Sequence, residues 1–381
     1  MSKPIEVYSL VDEDQRERLK RTIEEAYLAA GEKVRHQQTA VALNAADGEA
    51  GDTGGLVNGE LLKLTPFDDL IGIDPSVYRQ IEAAVNSGKQ HLMFYGPPGT
   101  GKTTLARRLA GVLNGQKWAL ITGSADWSSQ DIIGGYQPIE GGSVKFYPGV
   151  LLRNFDRPLI IDELNRCDID KVIGPLFTVL SGQATTLPYR TKVADEDSPQ
   201  YMILPEWKEA PAPHEFSPGT AWRLIATINS IDKAALYQMS YALSRRFGWI
   251  YVDAPTDTRT FVQTYVEKFM GNDVPNIGGI PPLAAIWTAV NGVRPIGPAP
   301  IIDALKSIRV MVPTADLLGE PAGDLKTIYL DAFDLFFLPM LDGILHHEAE
   351  EIAAAVTSAL GLHPDSVEVT GLRRRVLSIA V

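Results

Sequence analysis

Residues 96–103 read Gly-Pro-Pro-Gly-Thr-Gly-Lys-Thr and follow an apolar run from His91 to Tyr95. Every fixed position of the phosphate-binding pattern G-x-x-x-x-G-K-[ST] is filled. The loop is expected to bind a nucleoside triphosphate through Gly96, Pro97, Pro98, Gly99, Thr100, Gly101, Lys102, Thr103 and Thr104. Its glycines let backbone N–H groups approach the phosphate oxygens closely. Lys102 adds a point charge for the β and γ phosphates, and the Thr103 hydroxyl is a ligand for Mg²⁺. Such a loop needs a strand before it and a helix after it. Leu105, Leu109 and Leu113 recur on one face, which predicts a helix over 104–113.

A second group of polar residues follows from the same logic. An apolar run, Leu159-Ile-Ile, ends in Asp162 and Glu163. Adjacent carboxylates at the end of a buried strand suit phosphoryl transfer: Asp162 holds Mg²⁺, and Glu163 orients and activates the attacking water. The run 222–228 ends in Asn229, within Ala-Thr-Ile-Asn, and brings an amide to the same edge, where it positions the water or contacts the γ phosphate. Ser244-Arg245-Arg246-Phe247 places two arginines before a further strand. An arginine supplied across a subunit boundary stabilises transition-state charge. Arg245 and Arg246 are the candidates, with Arg246 preferred.

These residues need a scaffold, and the alternation of apolar runs with helical patterns predicts one. Strands are expected near 118–122, 159–162, 222–228 and 249–253, besides the one before the phosphate loop. Helices lie between them, including one at 75–87. This alternation predicts an α/β fold, a parallel sheet covered by helices on both faces. Two stretches interrupt it. Residues 132–149 have hairpin chemistry around Glu140-Gly141-Gly142, and 185–219 hold two strand-like runs, 186–190 and 200–204, followed by a proline-rich segment. After Pro255 the pattern turns helical, with helices expected at 256–270, 282–291, 301–310, 325–341 and 348–360. Toward the N-terminus, 11–35 has helical spacing with Asp12 and Gly31 as its stops, and 38–60 is polar and small enough to read as a flexible linker. The expected organisation is an N-terminal helical segment (1–37), the linker (38–60), a nucleotide-binding core (61–255) carrying hairpins near 132–149 and 185–205, and a helical lid with the C-terminal segment (256–381).

Composition narrows the partners. The chain has 381 residues, is 45% hydrophobic and carries a net charge of −12, which disfavours direct binding of nucleic acid by the isolated chain. Arg373, Arg374 and Arg375 form the one dense basic run, read as a solvated face or a subunit contact. No apolar stretch reaches the length of a membrane span, and the first residues lack the apolar core of a signal peptide. The single cysteine, Cys167, excludes an internal disulfide and is read as buried. A cytoplasmic location is expected.

Taken in order, Gly-Pro-Pro-Gly-Thr-Gly-Lys-Thr, Ile-Ile-Asp-Glu-Leu-Asn-Arg, Ala-Thr-Ile-Asn and Ser-Arg-Arg-Phe resemble the AAA+ ATPases over about residues 62–345. Asp-Glu-Leu-Asn-Arg, the preceding Asp131-Ile-Ile-Gly-Gly-Tyr and the Phe146-Tyr-Pro-Gly element resemble the dynein-related branch that includes MoxR and McrB. Phe336-Phe-Leu-Pro-Met-Leu is similar to McrB-type lids. The resemblance implies a P-loop αβα sandwich followed by a smaller helical lid, ATP and Mg²⁺ as cofactors, and a homo-oligomeric ring, usually hexameric. The inserted hairpins of the family face the pore or a partner. It also implies sensor 1 for Asn229 and the finger role for Arg245 or Arg246. Where MoxR-like lids carry a sensor 2 arginine, this chain reads Gly297-Pro-Ala-Pro-Ile, with Arg294 as the substitute to consider. The implied task is a motor or remodelling subunit acting on a partner, either a nuclease subunit, with GTP use in McrB-like systems, or a von Willebrand A protein in MoxR-like ones. A nucleotide-gated assembly switch with slow turnover is the third reading.

Overall fold

Five short runs of β-branched and aromatic residues become the five strands of one sheet. They are β1 (His91–Gly96), β2 (Ala119–Thr122), β3 (Leu159–Asp162), β4 (Leu224–Asn229) and β5 (Phe247–Tyr251), in the spatial order β5-β1-β4-β3-β2. Every neighbouring pair is parallel. In the computed structural model of the protein, the described residues are 56–57, 60–115, 117–140, 142–229, 244–271 and 279–381. The N-terminal helix expected at 11–35 and the linker to residue 55 lie outside them. Leu56–Val57 and Glu60–Leu61 pair antiparallel, so the end of the stretch read as linker carries a small hairpin. The intervening Asn58-Gly59 is the two-residue signal for such a pairing.

A strand alternates its side chains between two faces, and both faces of this sheet are apolar. Leu92, Phe94, Ile160, Ile225 and Ile250 face helices α1 (Pro75–Asn86) and α2 (Lys102–Asn114), whose Ile81, Val85, Leu105 and Leu109 complete that core. Met93, Leu159, Ile161, Leu224 and Ala226 face the opposite layer, where Leu151, Phe155, Ile173 and Cys167 are buried. Truncating a fully buried leucine such as Leu105 to alanine costs about 2–5 kcal/mol. The sheet therefore holds its C-terminal edge in a fixed place, which the site requires.

The two interruptions pack on this second layer and on each other. Gly134–Pro138 and Val144–Pro148 form the expected hairpin. Thr185–Arg190 pairs antiparallel with Gln200–Ile203, and Glu215–Phe216 adds a third strand, parallel, that the proline-rich sequence did not announce. Phe146 stacks on Tyr201 at 4.6 Å between centroids, and Tyr136 meets Tyr189 edge-on at 5.1 Å. The Tyr136 hydroxyl donates to the Arg190 carbonyl at 3.0 Å and accepts from the Arg190 N–H at 2.5 Å.

The C-terminal helices are α3 (Thr258–Met270), α4 (Pro282–Val293), α5 (Ala299–Met311), α6 (Leu325–Phe336), α7 (His346–Ala359) and α8 (Val367–Leu377). They enclose their own core around Trp287, Tyr329, Phe333 and Phe337. The helix expected over 325–341 stops at Phe336, and Leu338–Leu341 is a 3₁₀ turn, because Pro339 has no N–H for an α-helical bond. Helix α8 carries the basic run. Arg373 pairs with Glu350 at 2.9 Å and Arg375 with Asp334 at 2.7 Å, so two of its three arginines bind acids of the same chain. No helix among the described residues is long and apolar enough to cross a membrane.

Candidate functional site

The sheet register brings the polar residues together. Asn229 lies opposite Gly96, Ala226 opposite Ile161 and Thr122 opposite Asp162, so β1, β3 and β4 end side by side. Beyond that edge the chain turns through the phosphate loop, where Gly99 and Gly101 take φ of 75° and 84°, a region that side chains with a Cβ rarely enter. Helix α2 begins at Lys102, which points its backbone N–H groups and positive dipole end at the cavity.

A cavity of about 430 Å³ opens there. Its polar lining is Asp69, Lys102, Thr103, Asp162, Glu163, Thr227 and Asn229, and its apolar lining includes Leu70, Ile71, Ile73, Phe261, Tyr265 and Ile302. A concave lining that combines apolar side chains with a few polar and charged groups is the usual make-up of a small-molecule site. Proline and lid residues Pro298 and Ala299 close its side.

Side chains of the polar lining hold one another. Thr103 and Thr227 both donate their hydroxyls to Asp162 Oδ1, each at 2.6 Å. Thr227 Oγ1 in turn accepts the Glu163 N–H at 3.0 Å. Asn229 Nδ2 approaches Glu163 Oε1 at 3.4 Å, and Arg166 Nε meets Glu163 Oε2 at 2.5 Å. Glu163 is the sole non-glycine with positive φ among the described residues, at 51°. That backbone costs on the order of 1 kcal/mol and is held by the Thr227 bond. Strain of this kind at the end of β3 turns the Glu163 carboxylate into the cavity rather than along the strand.

Lys102 is 5% exposed and donates to the carbonyls of Pro97 at 2.6 Å and Gly96 at 3.0 Å. Burial pushes its ammonium down to about 8, against the pull of Asp162 and Glu163. The Thr103 hydroxyl and the Asp162 carboxylate are hard oxygen donors in direct contact, the donor type and spacing that Mg²⁺ accepts. Among the described residues no three His, Cys, Asp or Glu side chains gather to hold a metal unaided. The fit is to a cation shared with phosphate oxygens, which keeps only one or two protein ligands.

The arginines lie elsewhere. Phe247 pairs with His91 and Tyr251 with Tyr95, so Arg245 and Arg246 precede β5 at the edge where β1 begins. The length of β1, five steps of about 3.3 Å, puts roughly 16 Å between them and the phosphate loop. Neither lines the cavity. Arg246 donates from Nε to Ser181 Oγ at 2.7 Å and to the Phe177 carbonyl at 3.1 Å, with its guanidinium over the Phe177 ring. The Arg245 side chain is exposed, and its carbonyl accepts Lys89 Nζ at 2.9 Å. Arg294 donates to the Met340 carbonyl at 2.8 Å inside the lid and is not at the cavity.

Thr227 is the residue that motif reading passed over. It sits two positions before Asn229, and the two-residue period of a strand places both on one face. The apolar lining of the cavity carries no sequence signal, since Ile71, Phe261 and Ile302 read as ordinary core positions.

Residues 91–247 match the AAA domain of the dynein-related subfamily. The chain is 29% identical over 198 residues to the "Type IV methyl-directed restriction enzyme EcoKMcrB subunit" of Escherichia coli K12, covering 47% of this chain and 39% of that protein. It is 44% identical over 52 residues to replication factor C small subunit 2 of Pyrobaculum islandicum, 14% of this chain and 16% of that one. The chain thus spans well under two thirds of the curated relatives it matches. Among solved structures, the RuvB Holliday junction branch migration motor of Thermotoga maritima aligns with 80% of this chain and 87% of that one, at 17% identity and a TM-score of 0.41.

Proposed function

From the match of residues 91–247 to the AAA domain of the dynein-related subfamily, we propose that the protein is a Mg²⁺-dependent, ring-forming NTPase that hydrolyses ATP and drives or remodels a partner protein. The observation that carries the reading is the shared contact of Thr103 and Thr227 on Asp162, with Glu163 and Lys102 lining the same cavity. Thr103 and Asp162 are the residues suited to hold Mg²⁺, which when bound supplies charge neutralisation for the transferred phosphoryl group. Lys102 and the N–H groups of 97–103 bind the β and γ phosphates. Glu163 takes the proton of the attacking water at its carboxylate, and Asn229 fixes that carboxylate's orientation. Water attacks the γ phosphorus, the bond to the β–γ bridging oxygen breaks, and the nucleoside diphosphate leaves with phosphate.

The two arginines act on the cavity of a neighbouring copy in this proposal. The separation along β1 supports it, because neither reaches its own cavity. Arg245, exposed, is the group that enters the neighbour, and Arg246, fixed on Ser181 and Phe177, positions it. A second reading is favoured by the Escherichia coli relative: a GTP-using motor in a restriction complex with a nuclease subunit.

Phosphate release from ATP and from GTP, with Mg²⁺ and with EDTA, tests the proposal when measured beside the mass of the assembly. Mg²⁺-dependent release from ATP by an oligomer supports the first reading, and preference for GTP supports the second. Assembly on nucleotide with negligible release moves the protein to a nucleotide-gated switch, and wild-type release by Glu163→Gln removes Glu163 from the mechanism.

A further inference from the structure

Where the lid meets the phosphate loop, main chain meets main chain. The Gly297 N–H donates to the Pro98 carbonyl at 2.8 Å, and the Ala299 N–H donates to the Gly99 carbonyl at 3.2 Å. The approach is so close that a Cβ on Gly297 would stand 2.2 Å from the Gly99 carbonyl carbon and 2.3 Å from the Thr100 nitrogen. Both neighbouring atoms are backbone and cannot swing aside. The other end of this segment is anchored in the lid. Ile296 donates its N–H to Asn291 Oδ1 at 2.9 Å, and its carbonyl accepts the indole N–H of fully buried Trp287 at 3.0 Å. Ala299 then opens helix α5. A movement of 297–299 is therefore a movement of the lid.

The planarity of the peptide unit gives this contact its consequence. In a trans peptide the carbonyl and the next residue's N–H point in opposite directions. The units whose carbonyls face the lid, at Pro98 and Gly99, carry on their far sides the N–H groups of Gly99 and Thr100, members of the phosphate cradle. Rotating those units to engage a phosphate turns the carbonyls that Gly297 and Ala299 hold. Meanwhile Arg294 is engaged with Met340, and the lid residues at the cavity, Phe261, Tyr265, Pro298, Ala299 and Ile302, include no cation.

We propose that the Gly297–Ala299 main chain couples the lid's position to phosphate binding, and that Arg294 has no part in it. The inference rests on the nucleotide reading of the cavity.

The test uses the full chain with cysteines introduced by Val112→Cys on α2 and Val310→Cys on α5, both exposed positions. Cys167 is buried, and burial pushes its thiol up to about 11, so it resists labelling. Energy transfer between the two labels reports lid position, while a fluorescent ATP analogue reports binding. We expect saturating ATPγS with Mg²⁺ to change the transfer in the parent and in Arg294→Ala. Gly297→Ala, whose Cβ must part the lid from the loop, should lose the transfer change even at analogue concentrations that saturate it, whether or not its affinity falls. A normal change in Gly297→Ala, or its loss in Arg294→Ala alone, overturns the proposal. A second measurement needs no variant: amide exchange at Gly297 and Ala299 should change together, in the same direction, when the parent binds ATPγS. Unchanged exchange at both, with phosphate-loop amides responding, overturns it equally. Failure of the parent to bind the analogue is a separate result, which removes the nucleotide reading itself.

Discussion

Replacing Lys102 by methionine should change how stability depends on pH, in a direction the burial dictates. The ammonium is pushed from its ordinary 10.5 down to about 8 in the folded chain, burial being the main cause. Below pH 8 both folded and unfolded states carry the proton, and the folded state bears the full cost of a buried charge. Between pH 8 and 10.5 the unfolded chain binds more protons, so this residue's contribution to stability rises with pH. The whole shift corresponds to roughly 3 kcal/mol, of which about 2 kcal/mol is recovered between pH 7 and pH 9.5. Lys102→Met has no such term. Urea unfolding of both proteins at the two pH values isolates it, because every other titrating group is shared. The stability of the parent relative to Lys102→Met should increase by about 2 kcal/mol at the higher pH. A difference that stays constant to within roughly 0.5 kcal/mol would refute the buried-charge argument. Binding gives a second readout with the opposite sign. A triphosphate needs the charged amine, so the affinity of the parent for ATPγS should fall about tenfold between pH 7 and pH 9.

Three further outcomes follow from the polar lining of the cavity and from the arginines. Glu163→Gln should keep nucleotide affinity while turnover falls on the order of 10² to 10⁴-fold, read by phosphate release beside equilibrium binding. Thr227→Val removes the hydroxyl that joins Asp162 to the Glu163 N–H and should cost about 1–3 kcal/mol in urea unfolding, with Thr227→Ser close to the parent. Arg245→Ala and Arg246→Ala should each lower turnover of the assembly by up to about 10³-fold or more, and mixing either with Glu163→Gln should restore part of it. Only Arg246→Ala should also lower the melting temperature, because it alone loses contacts to Ser181 and Phe177 within the chain.

Legibility in the sequence tracked how much of an element's identity is local. That the phosphate loop, the Asp162-Glu163 pair and Asn229 would meet at one edge was legible because each ends or follows an apolar run of strand length, and the structure brings them to one cavity. The strand 159–162 was readable to the residue because an apolar run ends there in two acids. Other features depend on partners distant in the chain. Glu215–Phe216 is a strand only because Gln200–Ile203 lies beside it. Arg246 looked the better candidate to cross a subunit boundary, yet Ser181 and Phe177, over sixty residues earlier, hold it in place. Arg294 reads in the sequence as a substitute for a lid arginine, and the Met340 carbonyl, forty-six residues later, holds it inside the lid. Thr227 lay inside a motif already singled out, and what marks it is its position opposite the end of β3, which no periodicity within β4 states.

On the proposed reading, the topology of the parallel sheet is what calls for a second copy. Each strand has one C-terminal end, and those of β1, β3 and β4 meet at the cavity. The segment that carries Arg245 and Arg246 enters β5 from the opposite edge, and the register between Phe247 and His91 fixes it there. No rotation of those side chains spans the length of β1. The aromatic contacts between the two inserted β elements fasten them together on the second layer, against Phe146 and Tyr201. Among the described residues that line the cavity the one cation is Lys102, and Arg166 approaches it only through Glu163. On the proposed reading, a second copy presents its own β5 edge to the first copy's cavity and brings an arginine to it.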